Sequence, residues 1–313
     1  MDPFLDLIRL LRPRATLWGR AEAAGRWGLS FRKKDDLLFS WLERGECLLT
    51  RPGFEPVHLQ PNDFVLVRTF TPFALTSDPS MEPEDSDTAV GAAKRATLKL
   101  GEGTDSPVIM HGGRFVFDTA NEDLLTGLLP SLVHIASNDT SSWRVRHLLK
   151  MNETESLGPG PGSEFIIVRL MELILVEILR GGTLRVDEEQ TGLLAGLADP
   201  VTARALSAIH SDLAYDWTVY DLARLSGVSR SGFAARFRKI VGAGPIEYVL
   251  NWRMARAKDE LRYGTRSISQ IAFDIGFQSS SAFSTAFTRS VGCSPKRFAD
   301  SAREASTNST SKN

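Results

Sequence analysis

Three textures of apolar and polar positions succeed one another along the chain. Phe4, Leu5, Ile8 and Leu11 fall at helical spacing and stop before Pro13, which predicts a short first helix over Asp2–Leu11. From about Ala15 to Phe117 the apolar residues come in short runs: Trp27–Phe31, Leu37–Leu42, Cys47–Thr50, Val57–Leu59 and Phe64–Val67, then Val108–Met110 and Arg114–Phe117. Turn residues such as Arg44-Gly45, Arg51-Pro52-Gly53 and Gln60-Pro61-Asn62-Asp63 cut them apart. Strands this short and this closely spaced predict an antiparallel sandwich or barrel. Ser77–Lys94 is acidic and nearly free of large apolar side chains, and reads as a mobile loop.

Helical signals take over from Asn121, with a strong helix over Ser163–Arg180. Its charges Arg169, Glu172, Glu177 and Arg180 share an arc of about 140° at 100° per residue. The remaining apolar arc is wide enough to face the β-domain on one side and a partner subunit on the other; a helix wholly inside one chain is the alternative. Gly158-Pro159-Gly160-Pro161-Gly162 reads as a linker, because its prolines lack the backbone donors a phosphate loop needs. Gly181-Gly182 ends the helix, and Leu184–Asp199 reads as a linker carrying a short helix. The tail Ser306–Asn313 is rich in Ser, Thr and Asn and is expected to be disordered. The resulting division is 1–185, a linker over 186–200, a helical domain over 201–302 and a disordered tail over 303–313.

The helical third contains an internal repeat. Thr218-Val219, Leu222-Ala223 and Gly227 recur as Ser267-Ile268, Ile271-Ala272 and Gly276; further on, Phe233, Phe237, Val241-Gly242 and Pro245 match Phe283, Phe287, Val291-Gly292 and Pro295. The offset slips by one residue after the glycine, in a turn, where insertions are cheap. Each copy reads as helix–turn–helix. Thr218 or Ser267 caps the first helix, with Asp221 or Gln270 three residues on. Gly227 or Gly276 ends it, and Ser229 or Ser279 caps the second helix. With Phe233 and Phe237 as core anchors, Ser231, Ala235 and Arg238 point outward; Ser281, Thr285 and Thr288 do so in the second copy, with Arg289 beside them. Between the copies Ile246–Tyr263 predicts one long helix of roughly 27 Å. That spacer can hold two exposed helices about one DNA turn apart, roughly 34 Å.

Charge sharpens this picture. The chain has 313 residues, 37 Lys+Arg and 38 Asp+Glu, but residues 201–313 carry a balance of +7 and residues 1–200 one of −8. A basic helical module on an acidic remainder is what a nucleic-acid-binding domain joined to another domain looks like. The length suits two domains, and 42% hydrophobic residues argue against a disordered chain. Cys47 and Cys293 alone cannot build a disulfide framework, which points to a reducing compartment. The N-terminus lacks the features of a cleavable leader, and the charges within Phe165–Leu179 exclude a membrane span there, so a cytoplasmic protein is expected.

Residues 205–300 resemble the DNA-binding domain of the AraC/XylS family of bacterial transcription regulators. The segments Trp217–Ala223, Met254–Lys258, Ile271–Phe277 and Cys293–Phe298 carry the resemblance. It implies base contacts from Ser231, Ala234 and Ala235 in the first copy and from Ser280, Ser281 and Thr285 in the second. These side chains are small, so readout leans on hydroxyls, methyls, water and DNA shape. Arg230, Arg236, Arg238, Lys239, Arg289, Lys296 and Arg297 are the phosphate candidates. The N-terminal part resembles, more weakly, a cupin-like sensor domain, through Gly45-Glu46-Cys47, Pro56–Val67 and Gly112–Asp118. A metal-binding cupin carries a His-x-His pair, a Glu and a later His. Here His58 stands alone, with Phe73 where the later His would fall, so no metal, cofactor or catalytic residue is expected. The expected architecture is α+β in two domains: an antiparallel β-barrel with trailing helices, then an all-α domain of seven helices with two helix–turn–helix units. The expected function is an effector-responsive regulator with double-stranded DNA, a small-molecule effector, RNA polymerase and a second copy of the chain as partners. The alternative is a cupin-type enzyme or small-molecule-binding protein with a helical protein-interaction domain.

Overall fold

The computed structural model describes residues 3–34, 37–93, 97–103, 107–117, 121, 131–181 and 191–310. The chain gathers into two compact units. One holds the described residues of Arg12–Phe117 and Pro130–Glu189; the other holds the first helix, Asn121 and the chain from Thr191 on.

The β-unit is built from eleven strands among the described residues: β1 (Arg14–Ala23), β2 (Gly28–Phe31), β3 (Leu37–Arg44), β4 (Cys47–Thr50), β5 (Val57–Leu59), β6 (Phe64–Arg68), β7 (Phe73–Thr76), β8 (Glu84–Asp85), β9 (Leu98–Leu100), β10 (Val108–Val116) and β11 (Leu132–Ile135). They form a six-stranded sheet ordered β11-β6-β3-β10-β1-β9 and a five-stranded sheet ordered β5-β4-β7-β2-β8. This is the sandwich form of the expected β-domain, two sheets in place of one closed barrel. Two pairings, β1 with β9 and β2 with β8, are parallel, and the others are antiparallel. Trp27, Leu29, Leu42, Leu49, Val67, Leu75 and Met110 fill the core of this unit. β6 is buried at Phe64, Val65, Leu66 and Val67 alike, because both its faces are covered. Phe39 stacks against Phe64 at 6.1 Å, and a helix that packs on β1 and β11 buries Ile174, Leu175 and Ile178 completely.

Two expectations for this unit give way to the structure. Ser77–Lys94 is ordered through Ala93: β8 leads into a helix, Ser86–Ala93. Asp85 Oδ1 accepts from the Thr88 backbone at 3.2 Å, a local cap that composition did not reveal, and Ala89 is buried against the core. Within the stretch expected to be helical from Asn121, Leu132–Ile135 is a strand, because it completes the edge of β6; residues 122–130 lie outside the described residues. The helices that follow are Thr140–Leu157 and Ser163–Gly181, joined by the Gly158–Gly162 turn.

In chain order the helices are α1 (Pro3–Leu11), α2 (Ser86–Ala93), α3 (Thr140–Leu157), α4 (Ser163–Gly181), α5 (Leu193–Ala198), α6 (Pro200–Ser211), α7 (Val219–Ser226), α8 (Arg230–Val241), α9 (Pro245–Tyr263), α10 (Ile268–Asp274), α11 (Ser280–Val291) and α12 (Pro295–Thr310). Seven of them, α6 to α12, follow Asp199 as expected. The helical unit nevertheless starts before residue 201: Leu193 of α5 is fully buried, and a Cβ on Gly196 would stand 2.7 Å from Leu206. Of the linker expected over 186–200, residues 186–190 lie outside the described range. α1 also belongs to this unit by its contacts with α6 and α9, which bury Leu7, Leu10 and Leu11. α12 runs on to Thr310 in place of the expected disorder from 303, since Ala302 is buried and the sequence offers no breaker; residues 311–313 are outside the described range.

Candidate nucleic-acid interface

The repeat becomes two matching sets of local hydrogen bonds. Thr218 Oγ1 accepts from the Asp221 amide at 3.1 Å and Asp221 Oδ2 accepts from the Thr218 amide at 3.4 Å. Ser267 and Gln270 exchange the equivalent bonds at 3.3 and 2.8 Å. Each box satisfies amides that the first turns of α7 and α10 leave unpaired. Gly227 takes φ 73° and Gly276 φ 86°, the left-handed region. Ser229 then caps α8 through the Gly232 amide, and Ser279 caps α11 through that of Ala282. The slipped residue sits in the second turn, where Phe277 and Gln278 separate Gly276 from Ser279 while Val228 alone separates Gly227 from Ser229; the C-caps differ as well, Gly227 for α7 and Ile275 for α10. Gly276 is also pinned, since a Cβ there would lie 2.3 Å from the Ala214 carbonyl oxygen.

The two cores share α9. Phe233, Phe237, Tyr248 and Trp252 form one aromatic chain, with Phe237–Tyr248 centroids 5.7 Å apart and Tyr248–Trp252 6.1 Å. Met254, Ala257 and Leu261 close the other with Ile271, Phe283 and Phe287. α9 has 19 residues and at about 1.5 Å each spans roughly 28 Å, a rigid strut between the two second helices. Arg253 fastens the α6–α7 loop to it, donating from Nε to the Leu213 carbonyl at 3.0 Å and from Nη2 to that of Tyr215 at 2.8 Å.

Of the residues expected to read bases, Ser231, Ala235, Ser281 and Thr285 are exposed, while Ala234 and Ser280 are half-buried. Thr285 Oγ1 donates to the Ser281 carbonyl at 3.0 Å and Thr288 Oγ1 to that of Ser284 at 2.7 Å. Those hydroxyl protons are used within α11, leaving an acceptor lone pair and a methyl on each outward face. Arg230, Arg238, Lys239, Arg289, Lys296 and Arg297 are exposed on the same unit; Arg238 stands 3.7 Å from Glu247, both largely in solvent. Arg236 is placed otherwise. Its Nε donates to Asp199 Oδ1 at 3.1 Å and its Nη2 bonds Oδ2, so the guanidinium is occupied by a carboxylate.

Sequence reading passed over Asp199, which sits between a short helix and a proline and looks like linker. Its side chain accepts from the amides of Val201 and Thr202, capping α6, while clamping Arg236 of α8. The Arg236 bond, with the Thr202 bonds, holds the Asp199 carboxyl below the usual carboxylate range. Asp199→Ala is expected to destabilise the helical unit by about 1–2 kcal/mol, most of it the lost cap. Asp199→Asn keeps a capping oxygen and should recover most of that loss in thermal unfolding; equal losses from both variants would instead assign the effect to the ion pair.

Among the described residues no group of three or more His, Cys, Asp or Glu is placed to hold a metal. The histidines have separate partners: His58 lies by Glu46, His111 by Glu43, His134 by Asp63, His147 by the Trp143 carbonyl and His210 by Asp6. Cys47 is buried, which pushes its thiol up to about 12 and makes it unreactive. No helix among the described residues is long and apolar enough to cross a membrane. The β-unit does contain a cleft of about 300 Å³ at Phe31, Leu38, Val90, Arg32, Lys34 and Arg114.

Comparison with known proteins agrees with both halves. Residues 2–182 match the family described as Cupin, and residues 222–301 match the family described as Helix-turn-helix domain. The chain is similar over nearly its whole length to an AraC-like transcription regulator of Streptomyces lividans, at 38% identity over 94% of this chain and 97% of the relative. It is also similar to the HTH-type transcriptional regulator AlkR of Acinetobacter baylyi, at 27% identity over 88% of this chain and 91% of the relative. Among solved structures it is similar to the DNA-binding domain of AdpA in complex with a target DNA, at 28% identity over 34% of this chain and 96% of that one, with a TM-score of 0.33. With a cupin half, a duplicated helix–turn–helix half and relatives matched from end to end, the chain belongs to the AraC-like transcription regulators.

Proposed function

We propose that α8 and α11 enter successive major grooves on one face of duplex DNA, with Ser231, Ala234, Ala235, Ser280, Ser281 and Thr285 nearest the bases. The observation that carries this is the duplication itself: two capped units on one strut, each turning a small, polar-to-apolar face outward. Arg230, Arg238, Lys239, Arg289, Lys296 and Arg297 then meet phosphates. Arg236 drops out of that set, because Asp199 already occupies it.

Small readers discriminate weakly, so specificity is drawn from two copies of the chain and from DNA shape. The exposed Phe165, Ile166 and Leu173 of α4, beside Trp143 and Met151 of α3, are the surface on which a second copy would pair. The β-unit acts as the sensor and not as an enzyme; its cleft, with apolar walls and a charged rim where Lys34 pairs with Asp87 and Arg32 with Asp85, is where an effector would enter. An effector shifts regulation only by binding one arrangement of the protein better than another. RNA polymerase is the partner that would convert DNA occupancy into a change of transcription, and the protein works in the cytoplasm.

Fluorescence anisotropy with DNA from upstream of the gene tests the DNA reading. Affinity should fall steeply with salt. Arg238→Ala should weaken all sequences alike and reduce the salt slope by about one unit, whereas Thr285→Ala should change preference at one or two base pairs by about 1 kcal/mol. Identical effects of the two substitutions on every sequence would remove the assignment. Sedimentation of the full chain tests the pairing: a dimer is expected, and Leu173→Glu with Phe165→Glu should return it to a monomer. A wild-type chain that sediments as a monomer both free and on DNA overturns it.

A further inference from the structure

The geometry points to Arg253 as the positioning residue that sets the angle between α8 and α11, and with it the affinity gained from reading two grooves at once. The inference rests on the reading of α8 and α11 as groove-entering helices, and adds to it a residue that acts without meeting the DNA. Arg253 stands midway along α9, half-buried, at a place where the two helix–turn–helix units touch each other directly. All of these parts lie within the helical unit.

On one side the guanidinium gathers the α6–α7 loop. Nε donates to the Leu213 carbonyl at 3.0 Å, and Nη2 to that of Tyr215 at 2.8 Å and, more weakly, to that of Ala214 at 3.4 Å. The loop is stiff enough to pass that constraint on. Asp212 Oδ1 accepts from the Tyr215 amide at 3.0 Å, the Asp212 carbonyl accepts from the Trp217 indole at 2.8 Å, and Thr218 then caps α7. Both α6 and α7 pack on α8. On the other side the guanidinium carbon stands 5.9 Å from the centre of the Phe277 ring, within reach of a cation–π contact. Phe277 in turn meets Phe283 of α11 edge-on at 5.5 Å. Gly276 lets this turn close on the loop, since a Cβ there would stand 2.3 Å from the Ala214 carbonyl oxygen and 2.8 Å from Arg253 Nη2. One side chain thus ties the loop of the first unit to the turn of the second. Only a planar fork can spread donors over successive carbonyls while lying by a ring; a single ammonium on a flexible stem cannot. Two reading helices held at a fixed angle engage the second groove as an intramolecular event, and any looseness that must be frozen out on binding is lost affinity.

Fluorescence anisotropy of the full chain on two duplexes reads this out: one spans both grooves, and a shorter one ends after the sequence under α8. The wild type should bind the longer duplex about a hundredfold or more tighter than the shorter. Arg253→Lys keeps the charge and the alkyl stem; it should bind the shorter duplex within about threefold of wild type and the longer one about tenfold more weakly. Gly276→Ala disturbs the same junction with Arg253 left in place and should give the same pattern; it decides by the same criteria if Arg253→Lys does not fold. Wild-type affinity of the variant for both duplexes overturns the inference. So does an equal loss on both, the mark of a residue that only supports the fold. A wild type that gains nothing from the second groove is a different result: it overturns the two-groove reading, and this inference with it.

Discussion

Phe287→Ala is expected to unfold the second helix–turn–helix unit well below the temperature at which the wild type melts. Phe287 is fully buried, 5.5 Å from Phe283 and 5.6 Å from Phe298 by ring centroids, and its neighbours Met254, Leu261 and Ile271 come from other helices. Those helices are fixed by caps and by α9, so the site cannot collapse onto the space left behind. Truncation should therefore cost about 3–5 kcal/mol, a large part of the 5–15 kcal/mol that holds an ordinary domain together. Thermal unfolding should show a midpoint lowered by about 10 °C or more, and DNA affinity should vanish with the fold. Thr285→Ala, exposed on the same helix, is the matched control and should leave the midpoint within about 2 °C. A Phe287→Ala protein that melts with the wild type would mean that the shared core is not what holds α11.

The second large effect is expected in the β-unit, at Asp63. Its Oδ2 accepts from His134 Nε2 at 2.9 Å and from the Gln60 amide at 3.1 Å, and its Oδ1 from the Ser137 amide at 2.7 Å. One carboxylate therefore pins the β5–β6 turn, strand β11 and the residues that follow it. Burial alone would raise its pKa; the bonds from His134, Gln60 and Ser137, and the His134 charge, outweigh that and hold it below the usual carboxylate range. Asp63→Ala leaves these donors unpaired and should cost about 3 kcal/mol. Because the folded pKa is depressed, the charge-dependent part of this stability is fully present above the unfolded carboxylate value near about 3.9 and is lost as pH falls through the folded value. The gap in stability between wild type and Asp63→Asn should accordingly be largest near neutral pH and narrow below about pH 4. A gap that stays constant on acidification would show that shape, not charge, is what Asp63 contributes.

Some of this architecture is written locally and some is not. Capping boxes, glycine stops and phenylalanines at i, i+4 act within a turn or two of chain, so Thr218–Phe237 and Ser267–Phe287 were legible as two copies of one unit, and their placement followed from helical geometry alone. The outward positions Ser231, Ala235, Ser281 and Thr285 were legible for the same reason. Strand texture likewise revealed a β-domain, because a period of two is local. Two features of the β-unit needed partners far along the chain. Whether strands close into a barrel or stop as two sheets depends on which edges meet, and β8, β9 and β11 are short edges whose pairing no local pattern announces. Leu132–Ile135 is a strand because β6 has an open edge beside it, not because of its own pattern.

Side-chain roles divide in the same way. Sequence by itself determined that Arg236 is a cation on α8 and that Asp199 precedes a proline; only the fold placed the one against the other as an ion pair. It determined that α1 has an apolar face, but not that α6 and α9 would cover it or that Asp6 would meet His210, 204 residues away. Propensity and periodicity are properties of neighbours within about one or two turns. Burial, charge pairing and sheet edges are properties of residues that folding brings together, and for this chain they decided which polar groups are held in place and which remain exposed.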